Sequence, residues 1–309
     1  MKRPPLFPAY LALIAVCLIW GTTYLAIRMA LECFPPLLLI PTRFLLSGSI
    51  LLAATVLRGG RLPRGRDLIA ACLSGVLVLG FGNGGLVFAE QWVPSGLACL
   101  MLTISPFWMV GVEAFLPGGE PLHLPSIAGM IVGLCGSALL FAPGLHTGAI
   151  NRHLLDGFLI LQLAMAGWAF GSIYQRRQIG AAHPIVIGAV QQLAAGMAGV
   201  PLALAFHAHP IHWSARGVAA LLYLVMFGSI VGYSAYIYAL DRLPVAIVST
   251  YSYVNSVVAV TLGWLFYREP FGVREGTAMA IIFTGVALVK RYSKPASAHG
   301  ASEPRASEA

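Results

Sequence analysis

Three ionisable residues occupy places where a charge is expensive. Arg43, Glu90 and Glu113 lie within or at the ends of long apolar runs. An ionisable group inside a membrane span is a functional candidate, because keeping it there costs free energy that packing alone does not require. Arg43 has two functional uses open to it: holding an anionic group of a substrate, or pairing with Glu90 or Glu113. The plainer alternative is a lock between helices or a side chain snorkelling to the surface. A carboxyl group half removed from water takes up a proton more readily, so Glu90 or Glu113 is a candidate carrier of a coupling proton. Either is also an ordinary solvated acid if it lies within a turn of the membrane surface. Around these stands a neutral polar and aromatic set. Asn83 lies among four glycines, Asn255 lies in YSYVNS, and Trp20, Trp108, Trp168 and Tyr236 fall inside apolar runs. Aromatic walls with a few amides and hydroxyls suit a cavity for an amphipathic ligand of low net charge. The alternative for each residue is bundle packing.

Other chemistry finds little support. His207, His209 and His212 form HAHPIH, with His146 and His153 in another polar stretch; this spacing matches no standard metal-ligand pattern. Five scattered cysteines make no disulfide framework. There is no GxxxxGK[ST] phosphate loop and no HExxH, so neither ATP drive nor zinc hydrolysis is indicated, and no cofactor is expected. Glu120 and Glu269 precede two apolar runs, where an acid complements free helix N–H groups, and they read as caps of those following helices.

The elements that position these residues are long and apolar. The 309 residues are 58% hydrophobic and 10% charged, against roughly 25% charged in a soluble domain. Runs of about 20 apolar residues match a hydrocarbon core about 30 Å thick. Ten are expected: 9–27, 36–57, 67–89, 95–116, 124–142, 154–174, 183–206, 215–240, 244–267 and 273–289. A basic leader (1–8) precedes them, and a disordered polar tail (291–309) follows. Of nineteen Lys and Arg, Arg43 lies inside a helix. Five (Arg28, Arg152, Arg216, Arg268 and Arg274) fall on one side of a ten-helix topology and thirteen on the other. That asymmetry places both termini in the cytoplasm and assigns the net charge of +8 to membrane orientation rather than to nucleic acid.

The chain also repeats itself. Trp20, Pro36, Arg43 and Gly48 meet Trp168, Pro184, Gln191 and Gly196 at an offset of 148; Gly82 and Pro94 meet Gly232 and Pro244 at 150; Gly136 meets Gly285 at 149. Two units are expected, at 9–145 and 146–290. Five helices is an odd number, so the second unit must enter the membrane from the opposite side. The fold class is therefore an all-α membrane protein of ten transmembrane helices in two inverted five-helix repeats, an architecture of alternating-access transporters.

The stretches IWGTTYLAIR, PPLLLIPTRF, GNGGLVFAEQWVPSGLACLM, WAFGSIYQRR and FGSIVGYSAYIYALDRLPVAIVSTYSYVNSVVAV resemble the drug/metabolite transporter superfamily, in its ten-helix EamA branch of inner-membrane exporters. The resemblance spans roughly Tyr10 to Lys290. It implies a central cavity walled by both repeats and export of small metabolites or amphipathic compounds, amino-acid-like or drug-like. In that family a proline often marks the middle of helix 9, matching Pro106 in helix 4; here Ser256 stands there, so a helix-9 hinge is not carried over. Small multidrug relatives use a glutamate in their first helix, but no acid lies between Ala9 and Ile27. The expectation is a secondary transporter, not an enzyme, in the bacterial inner membrane. Its partners are a small-molecule substrate, the lipid bilayer and protons as a candidate coupling ion. A monomer suffices and a dimer is left open. The competing class is a polytopic membrane enzyme acting on a lipid-borne group, which would need a reactive cluster at one membrane face.

Overall fold

The computed structural model describes residues 6–117, 123–139, 152–178, 183–206, 211–243, 245–269 and 271–292. The described residues are helices, several of them joined by short turns. In chain order they are α1 (Phe7–Leu31), α2 (Pro36–Leu57), α3 (Arg66–Ala89), α4 (Ser95–Phe115), α5 (Leu124–Leu139), α6 (Arg152–Gln178), α7 (Pro184–Ala205), α8 (Ala215–Arg242), α9 (245–267) and α10 (Val273–Tyr292). Seven, α1 to α4 and α6 to α8, are long and apolar enough to cross a membrane among the described residues. Exposed leucine, phenylalanine and isoleucine cover the outside, as lipid contact requires.

Local sequence sets the helix starts. Pro36 and Pro184 occupy first-turn positions, where the missing N–H costs nothing. Ser214 accepts from the Gly217 N–H at 3.0 Å and caps α8. Several boundaries move from expectation. Helix α6 begins at Arg152, so Arg152 and His153 belong to it and not to the polar connector, and α10 runs on to Tyr292 instead of stopping at 289. Expected features at Glu120, His146, His207, His209, residues 140–142 and most of the tail lie outside the described residues.

Two irregularities recur at the repeat offset. The middle of α3 (Val76–Asn83) and of α8 (Leu224–Gly232) is π-helical, a wide turn that often accompanies functional sites. Both stretches carry glycine where an indole must approach. A Cβ on Gly82 would lie 3.1 Å from the Trp168 ring, and one on Gly232 would lie 2.6 Å from Trp20 Nε1. Two other helices break without matching. Helix α4 breaks at Thr103-Ile104, and α9 breaks between Val245–Val248 and Tyr251–Tyr267. The α9 break needs no proline at position 256. Instead Ser256 bonds back to the Ser252 carbonyl (2.9 Å) and to Thr103 Oγ1 (2.5 Å), tying the intact part of α9 to the break in α4.

Helices pack chiefly against the opposite half of the chain: α2 on α7, α5 on α10, α4 on α9, and α1 and α6 each across to the other side. The contacts are reciprocal. The place for a Cβ on Gly48 is 2.9 Å from Leu193 Cγ, and that on Gly196 is 2.8 Å from Leu45 Cγ. Likewise Gly136 faces Ala278 and Ile282, while Gly285 faces Gly129 and Gly133. At each of these crossings residue i approaches j′ while j approaches i′.

Candidate functional site

The π-helical stretches, the α4 and α9 breaks and the middle of α1 and α6 meet at one central pocket. Trp20, Thr23 and Tyr24 come from α1, Arg43 from α2, Asn83 from α3, Ser105 from α4, Trp168 from α6, Ser229 and Tyr233 from α8, and Tyr251 from α9. Its aromatic wall is tightly built. Trp20 lies 5.1 Å from Tyr236, 5.2 Å from Tyr251 and 5.5 Å from Trp168 between ring centroids, the last two edge to face. Both indole N–H groups are used: Trp20 Nε1 donates to the Gly228 carbonyl at 3.0 Å, and Trp168 Nε1 to Tyr236 Oη at 3.2 Å. The space between these side chains is about 50 Å³. That holds a few waters, against roughly 300–1,000 Å³ for a small-molecule site.

Arg43 is the one charged group in the lining. Its Nε donates to Ser229 Oγ at 2.8 Å and Nη1 to Asn83 Oδ1 at 3.3 Å. Of the uses open to Arg43, pairing with Glu90 or Glu113 is not seen, and neither acid lines the pocket. Glu113 instead bonds Arg177 at 2.7 Å near a polar end of the bundle, both about a third exposed. Arg43 is therefore a buried cation balanced by neutral acceptors among the described residues. The missing side chain at Gly228, whose Cβ would lie 2.9 Å from Arg43 Nη2, gives the guanidinium its room.

The remaining candidates divide. Trp20, Asn83, Trp168 and Arg43 face the pocket. Tyr236 lies behind it, fully buried, bonding Trp168 and Ser172. Trp108 stands apart, donating to Gln162 Oε1 at 3.0 Å. Asn255 is buried with its side-chain amide against the carbonyls of Cys17 and Tyr251; turned so that the nitrogen faces them, it donates at 2.7 and 3.1 Å and ties α9 to α1. Glu269 is a cap, but of α4 rather than α10. Its carboxylate accepts from Ser95 N, Ser95 Oγ and Gly96 N, each at 2.9 Å. The backbone turns back because Arg268 ends α9 with φ +51°, a left-handed conformation that costs a residue other than glycine about 1–2 kcal/mol. Thr23, Tyr24 and Ser229 are pocket residues that sequence reasoning passed over. The available signal was Arg43 itself, whose guanidinium demands acceptors at its own depth.

A bundle of membrane-length helices around a polar and aromatic pocket fits a small-molecule transporter. The model of the EamA-like transporter family matches residues 7–142 and again 155–291, and the chain belongs to that family. It is 35% identical over 306 residues to the uncharacterized inner membrane transporter YedA of Escherichia coli strain K12, covering 96% of this chain and 95% of that protein. It is 27% identical to a probable terminal-alkyne amino-acid exporter of Streptantibioticus cattleyicolor, covering 91% of this chain and 92% of that protein. A protein of known crystal structure, 24% identical, shares the fold with a TM-score of 0.66 over 91% of this chain and 95% of its own. The protein is thus a membrane transporter of the drug/metabolite type and not an enzyme.

Proposed function

We propose that the protein is a secondary exporter in the inner membrane, carrying small amphipathic metabolites by alternating access between two inverted five-helix repeats. In this reading all ten helices span the bilayer, the repeats are residues 9–145 and 146–290, and both termini are cytoplasmic. The observation that carries it is the reciprocal seating of Trp20 over Gly232 and Trp168 over Gly82. The pocket lies where the halves exchange equivalent contacts, so rocking one half against the other opens it to alternate sides. The substrate class follows from the walls: indole and phenol rings for an apolar body, and Arg43, Asn83 and Ser229 for a polar or anionic head. Export as the direction draws on the relative named as an exporter. One chain supplies both halves, so a monomer is complete.

The test is flux in inside-out vesicles with a panel of labelled amino acids and amphipathic compounds. Accumulation that disappears in Arg43→Gln supports the assignment. No movement of any compound would overturn it.

A further inference from the structure

The turn between α3 and α4 carries a buried carboxyl group that the central pocket does not use. Glu90 follows the span Arg66–Ala89 by one residue. It is 3% exposed, and neither of its carboxyl oxygens has a hydrogen-bond partner. Ionised in that place it would be an uncompensated buried charge, whereas protonated it is neutral. Burial accordingly holds its carboxyl above the ordinary glutamate range; the nearby Arg28 charge opposes this and that of Glu269 adds to it.

The groups around it come from four elements. Helix α1 contributes Tyr24 and Arg28, α4 contributes Cys99, and the turn after α9 contributes Glu269. Helix α6 meets the same turn through Gly157 against Val93, with exposed Arg152 and Asp156 nearby and His153 stacked on Trp92 at 6.0 Å. Arg28, the cation whose charge acts on Glu90, is already engaged. Arg28 Nη1 lies 3.6 Å from Glu269 Oε1, and its guanidinium stands 5.0 Å from the centre of the Tyr267 ring. Glu269 in turn holds the first N–H groups of α4. Its seat is made for a carboxylate: a Cβ on Gly96 or Gly263 would come within 3.1 or 2.4 Å of Oε2.

We propose that Glu90 is a proton-binding site whose occupancy decides whether Arg28 serves Glu269 or Glu90, so that proton release loosens the α4 N-terminus at this end of the bundle. The proton passes from the Glu90 carboxyl to water, and the carboxylate left behind draws Arg28 from Glu269. Because Arg28 and Glu90 belong to the first half and Glu269 to the second, the exchange acts between the parts that must separate. Its role as a transport coupling rests on the exporter reading; the proton site itself does not.

Two measurements on the purified full-length protein test it. A hydrophobic carbodiimide, which reacts with protonated carboxyl groups in apolar surroundings, should modify Glu90 at neutral pH and lose that reaction as pH rises. Hydrogen exchange of the first turn of α4, corrected for the intrinsic pH dependence, should be slow at every pH in Glu90→Gln. In the natural protein it should match that variant at low pH and become several-fold faster at high pH. Glu90 left unmodified throughout, or identical exchange in both proteins at every pH, would overturn the proposal. Neither readout needs a substrate. A protein that behaves as expected here yet moves no solute would refute the exporter reading and leave the proton site standing.

Discussion

Arg43 and Gln191 stand 148 residues apart in equivalent places, and they meet burial in opposite ways. Gln191 is fully satisfied: its amide nitrogen donates to Ser74 Oγ and Gln175 Oε1, each at 2.7 Å, and its oxygen accepts from Tyr233 at 3.0 Å. Replacing Gln191 by alanine leaves Gln175 and Tyr233 without that partner in a buried site. The expected loss is about 1–3 kcal/mol, read as a lower thermal midpoint. Arg43→Gln should behave differently. It removes a buried cation with no carboxylate partner, so stability is expected to hold or rise while flux is lost. A destabilised Arg43→Gln protein would make Arg43 a structural lock. Glu90 adds a pH dependence with a definite sign. A folded-state pKa above the unfolded one means the native protein binds the extra proton, so stability falls as pH rises from the ordinary glutamate value toward that of Glu90. The slope is about 1.4 kcal/mol per pH unit for a single group. Thermal midpoints of the natural protein should decline over that window, while those of Glu90→Gln should lack this component.

At the scale of elements, the turns between helices serve helices far away in the chain. Glu269 caps α4 although 174 residues separate it from Ser95. Glu269→Gln removes charge-assisted bonds to that N-terminus and the partner of Arg28, at an expected cost of roughly 1.5–3 kcal/mol. Gly263→Ala should mimic it in part, because the added methyl would fall 2.4 Å from the carboxylate. The crossing of α2 and α7 makes a symmetric prediction. Gly48→Val and Gly196→Val each press on the partner leucine's backbone and side chain at under 3 Å. The two should destabilise by similar amounts, about 1–3 kcal/mol each. Unequal losses would show that the crossing is not two-fold in energy.

For the whole molecule, the interleaving of halves matters most. Each repeat has few helix contacts of its own, and its apolar and polar groups are completed by the other. A unit able to fold alone has its own core; among the described residues the main buried cluster draws on both halves. Residues 1–145 and 146–309 made as separate chains are therefore expected to be degraded when expressed singly and to recover a stable complex, with flux, when expressed together. A stable half on its own would contradict the interlocked packing.

Much of this was legible in the sequence because it is local or periodic. The lengths of the apolar runs answer to the thickness of a bilayer. The returning Trp, Gly and Pro positions are visible as a pattern at a fixed offset, and prolines and serines at helix starts follow from N–H groups that no helix can satisfy. Trp20, Trp168, Asn83 and Arg43 could be nominated for the same reason, being costly or bulky groups at set places in those runs. What Arg43 bonds, which helix Glu269 caps, why Asn255 is a tie and not a cavity wall, and that Glu113 sits in an ion pair about a third exposed were decided only in three dimensions. Each depends on a partner from a helix remote in sequence. No spacing encodes that meeting, because it arises only when helices remote in sequence pack together and bury each other's polar groups.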